Sequence, residues 1–100
     1  KWDTFRMLTH PGTAIIPAAL AASETTGASG RDFITGVAAG YEVMERMAAD
    51  WIPTVMARGF HAGPVFSIFG AAVAAVTVFR KCRRVVVCRS LICRPPVVSR

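Results

Sequence analysis

Apolar residues recur at helical rather than strand spacing over most of the chain. Phe33, Val37, Tyr41, Met44 and Ala48 follow one another at intervals of four and three, which gathers them on one face of a helix. Glu42 and Arg46 stand four apart on another face, at the spacing of a favourable ion pair. Ser29, with Asp32 three residues on, makes a capping-box-like start in which Asp replaces the usual Glu or Gln. The pattern predicts a helix over residues 30–49, with Pro53 interrupting it near Trp51. Upstream, Pro11 and Gly12 break the backbone, and an alanine-rich run with Ile15, Ile16 and Leu20 predicts a helix over 13–26 stopped by Gly27. Proline is tolerated in the first helical turn, so Pro17 places the expected N-cap at Thr13 or just after it.

Val65 to Phe79 carry no charge and only Ser67 and Thr77 as polar side chains, which predicts a third helix over 64–79 with Pro64 at its N-terminus. It reads as a helix buried nearly all round inside a helical protein. The alternative is a membrane-embedded helix, although a spanning segment needs about 20 apolar residues. Gly36 and Gly40, four apart, suit close helix packing better than phosphate binding, because no P-loop or GxGxxG surrounds them. No strand-like alternation precedes Phe79 and no repeat is visible, so the expected fold class is all-α.

Composition narrows the choice. One hundred residues, 53% hydrophobic and 18% charged, exclude both a disordered chain and a complete multi-domain enzyme. The net charge of +6 is unevenly spread: residues 1–79 hold five bases and all six acids, while residues 80–100 hold seven bases and no acid. Cys82, Cys88 and Cys93 also fall in that last stretch. A border is therefore expected near Phe79, with residues 1–79 a helical unit and residues 80–100 an irregular basic Cys/Arg-rich tail. Its composition resembles GC-rich coding sequence read in a shifted frame; the competing reading is a genuine basic arm. Three cysteines with no secretory leader make neither a disulfide framework nor a zinc pattern, so a reducing compartment, the cytoplasm, is expected. The chain opens on Lys1, and its true start is expected upstream.

Candidate chemistry is sparse. The two histidines, His10 and His61, each precede a proline-marked helix start, where free N–H donors favour a neutral imidazole and attract carboxylates. Such a pair suits proton transfer on a polycarboxylate; capping a helix is the structural alternative for each. Arg58 has the planar guanidinium that clamps a carboxylate bidentately, and Asp3 and Thr4 could orient a substrate or an imidazole. Neither a metal cluster nor a Ser/His/Asp arrangement is evident.

Several stretches together resemble the MmgE/PrpD family of 2-methylcitrate dehydratases and cis-aconitate decarboxylases. They are Thr9-His10-Pro11-Gly12, Ile16-Pro17-Ala18-Ala19-Leu20-Ala21 with Glu24, Gly27-Ala28-Ser29-Gly30-Arg31-Asp32, Ala39-Gly40-Tyr41-Glu42-Val43 and Arg58-Gly59-Phe60-His61, and the likeness covers about residues 3–76. The resemblance implies an internal fragment of the large helical domain of a two-domain lyase, a homodimer whose smaller α/β lid closes over the site. By position, Thr4, His10 and His61 match active-site positions of the family, and Asp3-Thr4 resembles the end of its Asp-rich segment; catalytic roles are expected for His10 and His61 and substrate binding for Asp3, Thr4 and, through its guanidinium, Arg58. The resemblance implies elimination of water or loss of carbon dioxide from a small polycarboxylate, with no cofactor, metal, nucleic acid or membrane. The family's catalytic lysine has no counterpart here, so the chain alone is expected to be inactive. His61-Ala62-Gly63-Pro64 departs from the family's commoner continuations after this histidine. A small membrane-associated protein and a basic nucleic-acid-binding protein are the alternatives.

Overall fold

The computed structural model describes the backbone of residues 9–92 and the side chains of residues 9–81. Three helices make up the described part: α1 (Pro11–Thr26), α2 (Gly30–Ala57) and α3 (Ala62–Ile92). No strand occurs among the described residues, as the helical spacing of apolar positions requires. Asp3 and Thr4 lie outside them.

Each helix starts close to where the sequence places it, and two continue further. α1 begins earlier than expected, with His10 at the N-cap and Pro11 opening the first turn. Thr13 therefore does not cap the helix. It sits in the first turn, where its hydroxyl donates to the His10 carbonyl at 2.6 Å. Pro17 is inside α1. The carbonyl deprived of a donor there belongs to Thr13, and Thr13 and Pro17 are both exposed, so water can serve the gap. Gly27 ends α1 in the left-handed region at φ 62°, a conformation that an L side chain adopts at a cost.

Ser29 starts α2 as expected: its hydroxyl oxygen accepts from the Asp32 amide at 3.3 Å and donates to the Asp32 carboxylate at 2.7 Å. The Glu42–Arg46 ion pair also forms. The helix does not stop near Trp51 but passes through Pro53 to Ala57. Pro53 and Ala49, whose carbonyl loses its donor, are exposed, while Ile52 is buried and Val55 packs against the core. Packing on the inner face outweighs one lost hydrogen bond on the wet face. Gly59, at φ 83°, then turns the chain into α3.

α3 crosses the compositional border at Phe79 and continues to Ile92, so the expected irregular tail is helical up to that point. The reason is local. Residues 80–92 contain no Gly or Pro, and Arg, Lys and Leu favour the helix; the first breaker downstream is Pro95-Pro96. Residues 93–100 lie outside the described residues.

Packing follows one four-residue rhythm. Asp32 pairs with Lys81 at 3.7 Å, Gly36 lies against Val78, Gly40 against Ala74, and Met44 against Gly70, which makes α2 and α3 antiparallel. Continuing this register sets Ala48 opposite Phe66 and Ile52 opposite Ala62, all four buried. A small residue on one helix thus meets a larger one on the other through most of the contact. Ile15 from α1 enters the same seam and is fully buried against Gly40 and Gly70. The glycines act as packing surface, as expected of Gly36 and Gly40.

The expectation that α3 is buried all round needs correction. Ala62–Lys81 is long and apolar enough to cross a membrane, yet only a third of its most apolar window is buried. α1 and α2 cover one side; Val65, Ile68, Phe69, Val76 and Phe79 remain exposed because two neighbouring helices cannot surround a third.

Candidate functional site

The side chains singled out for chemistry stand on fixed backbone at helix ends. Thr9 and Pro11, on either side of His10, are buried, so the exposed His10 imidazole projects from an anchored segment. It makes no capping hydrogen bond; the His10 carbonyl instead accepts from the Thr13 amide at 3.0 Å. His61 is also exposed and precedes the buried pair Ala62 and Gly63. Its Nδ1 accepts a hydrogen bond from the Gly63 amide at 3.1 Å. Only one of the two histidines therefore serves as a cap.

α1 and α3 both run antiparallel to α2, which brings their N-termini, and with them His10 and His61, toward the same end of the bundle. Arg58 belongs to that end too, at the C-cap of α2, where its amide donates to the Thr54 carbonyl at 3.2 Å. Arg58 and His61 flank the Gly59 turn. Three of the five predicted site residues thus stand at helix ends; Asp3 and Thr4 lie outside the described residues.

Arg58 also lines an open cleft of about 340 Å³ with Trp51, Thr54, Val55, Phe60 and Val65. Neither histidine lines it. Its walls are mainly apolar and aromatic, with one guanidinium and one hydroxyl, a combination suited to an anion that carries an apolar body. Sequence reasoning missed this cleft. The signal was two aromatic residues bracketing Arg58, which became meaningful only once α2 was seen to continue past Pro53.

Gly63 is the second feature missed. A Cβ there would lie 3.0 Å from His61 Cε1 and 3.1 Å from its Nδ1, so the imidazole rests against the bare α-carbon. The departure after His61 already visible in the sequence marked this position, but spacing alone gives no ring orientation. Among the described residues, no group of three or more His, Cys, Asp or Glu is placed to hold a metal ion.

Electrostatically, a clear perturbation among the described residues lies at the opposite end of α2, at Asp32. The hydrogen bond from Ser29 holds the Asp32 carboxyl below its ordinary range, helped by the Lys81 ammonium and opposed by partial desolvation. This is a cap and packing feature, not part of the histidine end.

A family model, the MmgE/PrpD N-terminal domain, matches residues 2–85. No curated protein and no solved structure matches the chain.

Proposed function

The chain belongs to the MmgE/PrpD family, and we propose that it supplies part of the active site of a lyase acting on a small polycarboxylate, by dehydration of 2-methylcitrate or decarboxylation of cis-aconitate. The observation that carries the reading is the family match over residues 2–85, within which His10 and His61 head two helices that run the same way. Histidine suits abstraction or return of a proton next to a carboxylate because its ordinary pKa lies near working pH. Arg58 at the same end offers a carboxylate clamp. Asp3 and Thr4 complete the proposed substrate contacts.

The same reading includes inactivity of this chain by itself, a homodimeric full-length enzyme and a cytoplasmic location. Exposed histidines support the first of these: a reacting carbanion next to bulk water is quenched, and charges facing water are weakly stabilised. The test is steady-state kinetics with 2-methylcitrate and cis-aconitate on a family enzyme whose corresponding segment is replaced by residues 2–85. Turnover that falls about 100- to 10,000-fold with His10→Ala or His61→Ala, at unchanged circular dichroism, supports the assignment. Near-normal rates in both folded variants would return the histidines to capping and loop roles.

One observation favours a second reading, a membrane-associated protein. The exposed stripe Val65, Ile68, Phe69, Val76 and Phe79 lies on a helix whose sequence continues into Arg80, Lys81, Arg83 and Arg84, residues that suit anionic headgroups. Carbonate extraction of membranes from expressing cells separates the two: release into the supernatant favours the lyase reading, retention the membrane one.

A further inference from the structure

We propose that Gly63 is a positioning residue for His61, holding the imidazole against the first turn of α3 as the neutral ring protonated at Nε2. His61 then serves the substrate as a hydrogen-bond donor, and proton abstraction falls to His10. The two roles rest on the lyase reading above; the ring state rests on geometry alone.

Two observations of different kind carry it. The Gly63 amide donates to His61 Nδ1 at 3.1 Å, and a ring nitrogen that accepts an N–H bond has its lone pair engaged and carries no proton. In a neutral imidazole the proton then sits on Nε2. Gly63 is the second residue of α3, so its amide is one of the donors a helix start leaves without an intrahelical partner, and His61 satisfies it. A Cβ at position 63 would lie 3.0 Å from His61 Cε1 and 3.1 Å from Nδ1, close enough that the ring would have to shift by a few tenths of an ångström. Any residue but proline would supply that amide; what glycine adds is the missing side chain, which leaves the ring its place against the helix start.

The chemical consequence is a division of labour. A base must present a lone pair to the substrate, but that of His61 Nδ1 is held by Gly63, leaving the Nε2–H edge to face outward. Such an edge stabilises a carboxylate oxygen on which charge builds, without giving up its proton. His10 makes no capping bond, so neither of its nitrogens is committed to the helix start. In the dehydration branch His10 accepts the proton alpha to a carboxylate, the C–H electron pair becomes the new C=C bond, and hydroxide departs with the C–O pair.

The test uses the full 100-residue chain with ¹⁵N-labelled histidine, in alkaline solution well above the ordinary imidazole range. Long-range ¹H–¹⁵N spectra are expected to show His61 as the Nε2–H tautomer alone. Gly63→Ala should return it to the mixture of an unconstrained ring, as at His10. A His61 protonated at Nδ1, a mixture in the unsubstituted chain, or a spectrum unmoved by Gly63→Ala would overturn the proposal. Should Gly63→Ala fail to fold, His61→Ala decides from the other partner: the Gly63 amide should exchange with solvent about tenfold faster, and unchanged exchange would overturn the proposal. None of these readouts involves substrate, so a failed lyase assay with intact spectra counts against the function and not against the ring state.

Discussion

At the scale of single residues, the three-helix junction at Ile15, Gly40 and Gly70 has little room. A Cβ on Gly40 would lie 2.7 Å from the Gly70 carbonyl oxygen and 2.9 Å from Ile15 Cγ2, and backbone cannot swing aside as a side-chain tip can. Overpacking of this kind costs about 1–3 kcal/mol, against roughly 1 kcal/mol of helix propensity that alanine contributes. Gly40→Ala is therefore expected to lower the urea midpoint, whereas Gly30→Ala, with no atom within 4 Å of the added carbon, should not. Equal effects at the two positions would contradict the packing argument. Asp32 adds a pH dependence. Its folded pKa is depressed below the ordinary value of about 3.9, so its contribution is complete above that value and is lost as pH falls through the folded pKa. NMR titration of the Asp32 carboxyl should show a midpoint below the ordinary value, and Ser29→Ala should raise it.

At the scale of elements, caps and breakers have unequal authority. Ser29 closes the start of α2 through both its donor and acceptor functions, so Ser29→Ala should cost about 0.5–2 kcal/mol in chemical unfolding. Pro53, by contrast, was legible as an interruption but does not end the helix. Its face is exposed while Ile52 on the neighbouring face is buried, and the inner contacts carry the helix through. Pro53→Ala restores the missing donor to Ala49, and a thermal midpoint higher than that of the unsubstituted chain is expected, because interior proline costs about 3 kcal/mol relative to alanine. A lower midpoint would mean that α2 needs the proline's local geometry to reach the Gly59 turn. The same logic explains α3: a change of composition at Phe79 is not a change of conformation unless a residue there disfavours the helix.

At the scale of the whole molecule, two partner helices leave the outer stripe of α3 and the histidine end open to water. Turnover of 2-methylcitrate or cis-aconitate by the purified 100-residue chain is expected to be undetectable, since His10, Arg58 and His61 are exposed and nothing described encloses a substrate between them. Measurable turnover that disappears in His10→Ala would show that the chain, alone or self-assembled, already builds a working site.

Helical periodicity, the Ser29 and Gly27 boundaries, the Glu42–Arg46 pair and the two histidines ahead of helix starts could all be read from the sequence, because each depends on residues within about one turn of one another. The likeness to a lyase family was legible for the same reason, through short ordered stretches. Helix length past Pro53 and Phe79 was not, since it turns on whether inner-face packing outweighs a local breaker. Nor was the cleft beside Arg58, which needs α2 and α3 set side by side. The His61 ring against Gly63 involves near neighbours, yet its orientation depends on backbone angles that spacing does not encode. Only the tertiary structure decided these points, because each rests on distances between groups whose relative placement the chain acquires on folding.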